Sequence, residues 1–274
     1  MYVEPFPEDL KGRLKRHPRL YSVSRSLVNA LGVPKSRISF RRDFKQFSQS
    51  ALREDPRFSV DWADRHPCFG EDTVSMGFDR HYVYHTAWAA RVLATTKPAF
   101  HADISSSLYF AAIASAFVPV KYYEFRAVPI QLSDLTSDAA SLTELPFANQ
   151  SVSSMSCMHA IEHVGLGRYG DPIDPLGDLQ ALGELQRVLA PGGNLLVVVP
   201  VGRARVCFNA HRVYSHAQIV AALPELTLTE FALIPDSDET GGLMVNPPAE
   251  LVERQEYGCG CFWFTRAGLQ TDAR

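Results

Sequence analysis

The sequence predicts the α/β fold class, with a doubly wound, mostly parallel seven-stranded sheet, an antiparallel edge strand and an N-terminal extension. Short apolar runs alternate with amphipathic helical patterns through most of the chain, which is typical of a parallel sheet covered by helices. Two later apolar runs flank an irregular connection and indicate the antiparallel part. Of the 274 residues, 46% are hydrophobic and 21% are charged, as in a globular protein with a sizeable core.

The segment from Leu145 to Gly202 carries the clearest pattern, a strand, a helix and a strand. Small and apolar residues from Val152 to Met158 suit a buried parallel strand. The apolar stripe of the helix consists of Leu176, Leu179, Leu182, Leu185 and Val188. Pro191-Gly192-Gly193 ends the helix, because proline cannot continue it and glycine adopts positive φ. Leu195 to Val199 completes a right-handed crossover.

The remaining elements continue this alternation. They are a helix from Gly77 to Thr96, a strand from Ala99 to Ile104, a helix from Leu108 to Phe117, strands from Val120 to Phe125 and near Leu135 to Leu142, a helix from Ser215 to Leu223, and strands from Leu226 to Ile234 and from Tyr257 to Thr265. The stretch from Gly202 to Arg212 lacks periodicity and is predicted to be irregular. We therefore divide the chain into a basic N-terminal extension, residues 1–75, and an α/β domain, residues 76–274.

The N-terminal extension is strongly basic, although the net charge of the chain is only −3. Eleven Lys or Arg residues and a single acid, Asp43, fall within residues 11–45. One predicted helix face there is apolar and consists of Leu20, Val23, Leu27, Val28 and Leu31. Such a segment suits an anionic membrane surface, another polyanion, or a solvated face that covers the main domain. Nucleic acid is the least favoured partner, because no stacking-aromatic module or recognition-helix pattern accompanies the charge.

The cysteines show no disulfide framework, because they are odd in number and scattered. They are Cys68, Cys157, Cys207, Cys259 and Cys261. Reduced thiols, together with the lack of a signal peptide or a bilayer-spanning apolar run, predict a cytoplasmic protein, held at the membrane periphery if the basic extension binds there. Cys259 and Cys261 are separated by one residue, where zinc sites have two or more, so no metal site is predicted.

Two histidine patterns resemble metal sites. His159-Ala160-Ile161-Glu162-His163 fits H-x-x-E-H, in which two histidines on one helix face bind zinc and the glutamate acts as base. That chemistry needs a long helix, whereas this string follows a strand directly and runs into Gly165-Leu166-Gly167. A zinc metallopeptidase is therefore a less favoured alternative. His81 and His85, four apart in a predicted helix, are interpreted as core or capping residues.

The strings from His159 to Asp178 and from Tyr257 to Phe262 resemble a bacterial family of unassigned function within the class I S-adenosylmethionine-dependent methyltransferase superfamily. The resemblance covers roughly Phe78 to Arg266. It implies a Rossmann-like methyltransferase fold with S-adenosylmethionine as cofactor. Members of the family are often encoded among genes for surface-glycan synthesis. The implied activity is methyl transfer to a hydroxyl or amine of a small molecule or a glycan precursor.

The resemblance also implies a cofactor site, made of Asp103, Ser105, Ser107, Glu124, Ser141, Leu142 and His159. In that fold the first strand ends in an acid and a glycine-rich turn beside the methionine part of the cofactor. Here the turn follows Asp103, and Ser105 and Ser107 replace both glycines. An acid at the end of the second strand accepts both ribose hydroxyls, and Glu124 stands there. Ser141 stands where aspartate commonly contacts adenine.

The acceptor is expected beside the loops that follow the fourth and fifth strands. His163 is the first candidate for the base that takes the acceptor proton, and His211 is the second, because imidazole titrates near neutral pH. Tyr169 and Asp171 are expected to position a sugar hydroxyl. The serine replacements in the cofactor site leave an alternative, a methyltransferase-like binding or scaffold protein without catalysis.

Overall fold

The computed structural model describes residues 37–51, 53, 57–69, 77–237 and 241–268. The chain divides into two compact units, Met1–Gly77 and Phe78–Arg274. Within the described ranges, no helix combines the length and the apolar character needed to cross a membrane. The predicted apolar helix face between Leu20 and Leu31 lies outside the described residues.

In the N-terminal unit, residues 37–51 are helical and Trp62–Asp64 form a 3₁₀ turn. The Trp62 ring packs edge-on against Phe44, with ring centroids 4.8 Å apart. The Arg65 guanidinium lies over the same indole, 4.6 Å from its centroid. The basic side chains of the helix are exposed, namely Arg37, Arg41, Arg42 and Lys45.

The second unit is built on one sheet, which has eight strands in the described part of the chain. The strands of the unit are β1 (His101–Ile104), β2 (Val120–Glu124), β3 (Leu135–Ala139), β4 (Val152–Met158), β5 (Leu189–Val201), β6 (Arg205–Cys207), β7 (His211–Val213), β8 (Leu226–Ile234), β9 (Met244–Val245) and β10 (Gly258–Arg266). The sheet order is β3-β2-β1-β4-β5-β10-β8-β9, and β6 pairs with β7 separately. Strands β1 to β5 are parallel, and β10, β8 and β9 pair antiparallel. The predicted fold class is confirmed, with β9 as an additional strand.

The five α-helices described in this unit are α1 (Arg80–Thr96), α2 (Leu108–Ala114), α3 (Gly177–Val188), α4 (His216–Ala222) and α5 (Ala249–Glu253). Two of them, α1 and α4, begin at residues whose side chains cap them. The Asp79 side chain accepts a hydrogen bond from the Tyr82 N–H and so caps α1. Lys97, in the left-handed region, ends α1 just before Pro98. Ser215 and Gln218 form a reciprocal capping box that fixes the start of α4.

Successive residues of β5 face two different apolar cores. Leu195, Val197 and Val199 pack in the core that contains α3 and α4 side chains such as Leu182 and Ile219. Leu196 and Val198 pack in the core that contains α1 and α2 side chains such as Trp88 and Phe110. Because both faces of β5 are buried from Leu195 to Val199, that part of its sequence is continuously apolar instead of alternating.

Two segments differ from the prediction. The stretch after Gly202 is not irregular, because β6 and β7 pair antiparallel there, with Arg205 opposite Val213. Each of these strands has only three residues, too few to show a period in the sequence. Strand β5 begins earlier than predicted, because Leu189 already pairs with Val152 before the register shifts around Pro191-Gly192-Gly193.

The strand order creates a crevice at the centre of the sheet. Strands β2 and β4 flank β1 on opposite sides. The chain builds the sheet outward from β1 to β3 on one side and then continues with β4 and β5 on the other side. At such a topological switch point the loops diverge at the carboxyl ends of the strands and leave room for a ligand. The residues that follow the three strands are Ser105, Phe125 and His159.

Candidate functional site

A cleft of about 410 Å³ lies at this crevice, which is within the usual size of small-molecule sites. Eight of the sequence-predicted site residues line it, namely Ser105, Glu124, Ser141, Leu142, His159, His163, Tyr169 and Asp171. The structure therefore brings residues from four separate loops to one cavity.

The turn after β1 is held in the conformation usually taken by glycine. Ser105 has a φ of 56°, in the left-handed region. Its N–H donates to the Tyr123 carbonyl oxygen at 2.7 Å, which ties the turn to β2. The Ser106 hydroxyl accepts a hydrogen bond from the Met158 N–H at 3.0 Å, which ties it to β4. Both strands that flank β1 thus fix the turn.

Asp103 lies beneath this turn and does not line the cleft, contrary to its predicted contact with a ligand. Its buried carboxyl accepts hydrogen bonds from the Ser156 hydroxyl at 2.8 Å and the Ser106 N–H at 3.0 Å. Burial raises the pKa of Asp103 to about 7, because the charged form loses solvation, while these hydrogen bonds oppose the rise. The contacts of Asp103 are those of a residue that shapes the turn.

Glu124 ends β2 and presents its carboxylate at the cleft. One oxygen, Oε1, accepts a hydrogen bond from the Phe125 N–H at 2.8 Å. The other oxygen, Oε2, lies 3.3 Å from the Tyr122 hydroxyl, which also donates to the Ser106 carbonyl oxygen at 2.9 Å. Since a carboxylate has about four acceptor positions, each oxygen keeps capacity for a ligand hydroxyl.

Ser141 and Leu142 line the cleft from the segment after β3. The Ser141 hydroxyl lies 2.9 Å from the Thr143 hydroxyl and accepts a hydrogen bond from the Thr143 N–H at 3.3 Å. Part of its hydrogen-bonding capacity is thus already used within its own turn.

The H-x-x-E-H string does not form a helix long enough for a zinc peptidase. His159 has a φ of 56°, and Ile161–His163 make a single 3₁₀ turn. The two histidines therefore do not share one face of an α-helix, which the peptidase pattern requires. Instead, His159 Nδ1 lies 2.9 Å from Oε1 of the buried Glu162.

His163 is oriented as a base at the cleft. Its Nδ1 lies 2.6 Å from the Ala210 carbonyl oxygen. Because a carbonyl oxygen only accepts, Nδ1 carries a proton, and in the neutral ring Nε2 therefore holds the free electron pair. Nε2 lies 3.8 Å from Glu162 Oε1, so a proton taken up there is stabilised by the carboxylate. The Tyr169 ring packs edge-on against the imidazole, with centroids 5.7 Å apart.

Asp171 organises the loop between Gly165 and Asp174. Its oxygens accept hydrogen bonds from the N–H groups of Gly165 at 2.8 Å, Gly167 at 3.2 Å and Tyr169 at 3.1 Å. Burial acts to raise the pKa of Asp171, but the backbone hydrogen bonds together hold it below its ordinary value. Gly165 is required, because a Cβ there would strike the Asp174 carbonyl oxygen.

A family described as Caenorhabditis protein of unknown function, DUF268, matches residues 123–230. The match includes Glu124, His159 and His163, and this family, like the one that the sequence resembles, has no assigned function. No curated protein sequence is significantly similar to the chain.

Several solved structures are similar to this chain. One, with 19% identity and a TM-score of 0.47, is from the complex between the Haloferax volcanii Trm112 methyltransferase activator and a proposed methyltransferase, and the alignment covers 69% of this chain and 90% of that one. Burkholderia thailandensis 1,6-didemethyltoxoflavin-N1-methyltransferase aligns at 11% identity over 67% of this chain and 78% of its own, with a TM-score of 0.48. The N-methyltransferase NodS from Bradyrhizobium japonicum aligns at 14% identity over 65% and 84%, with a TM-score of 0.44. Because these sequence identities are so low, the activities of those proteins are not assigned to this chain.

His211 and Ser107 lie outside the lining of the cleft. His211 begins β7, and its ring centroid is 4.9 Å from that of Tyr257. Burial lowers the pKa of His211, and the nearby Glu162 opposes that shift. Ser107 precedes α2, and its hydroxyl makes no capping hydrogen bond. Of the two predicted bases, the structure brings only His163 to the cleft.

Gln180 and Asp174 line the cleft although sequence reasoning did not single them out. The Gln180 amide, in the first turns of α3, donates to the Asp174 carboxylate at 2.7 Å. In the sequence, Gln180 is one polar residue among several on an amphipathic helix, so no signal distinguishes it.

A second group of titratable side chains surrounds His159. The His81 ring stacks on the His159 ring, with centroids 5.6 Å apart and planes 7° apart. The His85 ring meets the same imidazole edge-on at 5.1 Å. Burial is the main reason that the pKa of His81 falls to about 4 and that of His85 to about 3, so both rings are neutral at pH 7.

Proposed function

We propose that this chain transfers a methyl group from S-adenosylmethionine to a hydroxyl or amine of a small molecule or a glycan precursor. The observation that carries the proposal is that Glu124, Ser105 and His163 line one cleft at the switch point of a doubly wound sheet. The Glu124 carboxylate can accept hydrogen bonds from two ribose hydroxyls, which suits a nucleoside cofactor. The His163 imidazole in the same cleft suits an acceptor that must lose a proton.

The residues present fit the cofactor. Glu124 would hold the ribose, Leu142 would lie along the adenine, and the Ser105 turn would meet the methionine part. Ser105 is the residue at which the cofactor could be blocked, since serine replaces glycine there. Ser105 already adopts the positive φ, so its Cβ does not prevent the turn. The cleft also stays open, with Ser105 in its lining.

The chemistry divides between cofactor and protein. S-adenosylmethionine, when bound, supplies the electrophilic methyl group. The chain orients the acceptor and takes its proton at His163 Nε2, which is free because Nδ1 donates to Ala210. Glu162 then stabilises the imidazolium from 3.8 Å. Tyr169, half exposed beside His163, is placed to bind an acceptor hydroxyl.

The glycan acceptor and the location of the protein are parts of the same proposal. The glycan acceptor is supported by the resemblance to a family often encoded among genes for surface-glycan synthesis. Peripheral contact with anionic membranes is supported by the basic residues within 11–45, of which Arg37, Arg41, Arg42 and Lys45 are exposed. A cytoplasmic location is supported by the five free cysteines. Sedimentation with anionic and with neutral vesicles tests the contact, and equal binding to both would contradict it.

A binding or scaffold protein without catalysis remains the second candidate. One observation favours it, namely that the Ser141 hydroxyl is engaged with Thr143 at the position expected to contact adenine. It predicts that S-adenosylmethionine binds weakly and that no methyl group is transferred.

The test of methyl transfer uses the full chain and S-adenosylmethionine labelled in its methyl group. Free sugars, nucleotide sugars and amines are supplied as separate acceptor pools. We expect labelled product and S-adenosylhomocysteine from a hydroxyl or amine pool, and lower yields of both products from Glu124→Gln at a cofactor concentration that does not saturate the variant. Binding of the cofactor with no transfer to any pool would favour the scaffold instead.

A further inference from the structure

Three side chains from distant parts of the chain converge beside the cleft. His81 lies in α1, His159 follows β4, and Cys259 lies near the start of β10. One ligand atom from each of these residues lies within 4.8 Å of the other two. Two imidazole nitrogens and a thiol sulfur form a donor set that zinc and similar borderline ions prefer.

We propose that His81, His159 and Cys259 bind one divalent transition-metal ion of the zinc class. The proposal stands on this ligand set and does not rest on methyl transfer. With three protein ligands the ion has a fourth position for water or a ligand, as in catalytic zinc sites. Since His159 also lines the cleft, the ion lies next to the space where an acceptor would bind.

The spacing of the best-placed pair matches a tetrahedral site. Cys259 Sγ lies 3.5 Å from His159 Nε2. Bond lengths of about 2.3 Å for zinc to sulfur and about 2.05 Å for zinc to nitrogen place two tetrahedral ligand atoms about 3.6 Å apart. Ligation by His81 requires its ring to turn from the stacked arrangement toward the ion, and the side chain is only partly buried.

The partner of His159 is the one that metal-binding histidines usually have. His159 Nδ1 lies 2.9 Å from Glu162 Oε1, so Nδ1 carries the proton and the Nε2 electron pair faces Cys259. Glu162 is 1% exposed, and its other oxygen, Oε2, has no hydrogen-bond partner among the described residues. A buried carboxylate with an unpaired oxygen is costly, and a cation bound to His159 offsets that cost.

The helix that carries His81 contributes a second unpaired atom. His85 lies one turn further along α1, and its Nδ1 is 2.6 Å from the His81 carbonyl oxygen. Its Nε2 is buried and has no hydrogen-bond partner within the described part of the chain. A simple Cys259 to His159 hydrogen bond explains the 3.5 Å contact but leaves the buried Glu162 carboxylate without a compensating cation, whereas the His85 atom stays unpaired in either case.

Cobalt binding to the full chain tests the proposal without reference to activity. The purified protein is stripped with a chelator and titrated with Co²⁺, whose absorption reports both thiolate ligation and tetrahedral geometry. We expect one Co²⁺ per chain with a thiolate charge-transfer band, displaced by Zn²⁺. Wild-type protein that gives no such band would overturn the site, whatever the variants do.

Variants then identify the ligands. Cys259→Ala and His81→Ala should abolish the band, whereas Cys261→Ala, which removes a neighbouring buried thiol, should keep it. Glu162→Gln should weaken Zn²⁺ binding by about 10- to 100-fold, as expected for a group that orients a ligand. Circular dichroism on each variant confirms folding, and a band that survives Cys259→Ala in folded protein would overturn the assignment. Wild-type protein that binds the metal ion but does not bind S-adenosylmethionine would refute only the proposed function.

Discussion

The imidazole of His163 is fixed by the carbonyl of Ala210, whose oxygen lies 2.6 Å from Nδ1. This hydrogen bond connects the turn after β4 to the residue just before β7 and selects the tautomer with a free Nε2. The Arg168 guanidinium donates to the same carbonyl at 3.2 Å. The β6–β7 hairpin, which the sequence did not predict, therefore holds the proposed base in position.

Replacement of His163 by alanine should slow methyl transfer by about 10²- to 10⁴-fold, the usual contribution of a positioned base. The rate is measured at saturating S-adenosylmethionine with the acceptor found in the labelling experiment. His66→Ala, an exposed histidine in the N-terminal unit, is the matched control and should keep the wild-type rate. His211→Ala should have a smaller effect, because His211 lies outside the cleft lining. Full turnover in both His163→Ala and His211→Ala would refute both assignments.

Replacement of Glu124 by glutamine should weaken S-adenosylhomocysteine binding by about 10- to 100-fold. The variant loses charge-assisted hydrogen bonds to the ribose, each worth about 1.5–3 kcal/mol. Asp138→Asn is the control, since Asp138 is an exposed acid on the adjacent β3 and pairs with Lys121 at 3.3 Å. Equal affinities in the two variants, measured by calorimetry, would show that Glu124 does not hold the ribose.

Replacement of Ser105 by glycine should raise the free energy of unfolding by about 0.5 kcal/mol. The left-handed conformation costs a residue with a Cβ about 1–2 kcal/mol, and the greater freedom of glycine in the unfolded chain offsets part of this gain. Ser105→Ala keeps the Cβ and should show no gain. Chemical denaturation of both variants measures the difference, and a glycine variant less stable than the alanine variant would contradict the assigned backbone strain.

Replacement of Asp103 by asparagine should change stability in a pH-dependent way. The pKa of Asp103 rises to about 7 in the folded protein because of burial, whereas the unfolded value is near 4. Between these values the unfolded chain releases a proton that the folded protein keeps, so wild-type stability falls as the pH rises. The asparagine side chain does not titrate there. The free energy of unfolding of the variant should therefore rise relative to that of wild type by up to about 4 kcal/mol between pH 4 and pH 8. Thermal unfolding of both proteins between pH 4 and pH 8 tests this prediction. A stability difference between them that stays constant with pH would contradict it.

The elements that the sequence predicted well are those with long apolar patterns. Val152–Met158 and Leu226–Ile234 were placed at the correct bounds, because continuous burial leaves a signal that turn residues delimit. Strands of two or three residues, such as Met244–Val245, leave no such signal. Their pairing depends on partners that are distant in sequence.

The candidate site was predictable at the strand ends and in the loops that follow them, including Tyr169 and Asp171. The resemblance implied Ser105 and Glu124 as site residues, and both line the cleft because the ends of parallel strands meet at one edge of the sheet. The burial of Asp103 did not follow, because it depends on a cross-strand contact with Ser156. His81 and Cys259 lie close together in the fold but at opposite ends of the domain in sequence. No pattern of sequence spacing predicts that they meet.

Calorimetric titration of the full wild-type chain with S-adenosylmethionine and S-adenosylhomocysteine tests the central claim most directly. We predict a saturable heat with one ligand bound per chain, and a rise in the unfolding temperature with each ligand. Absence of both heat and thermal shift at millimolar ligand would contradict the account of the cleft as a methyltransferase site.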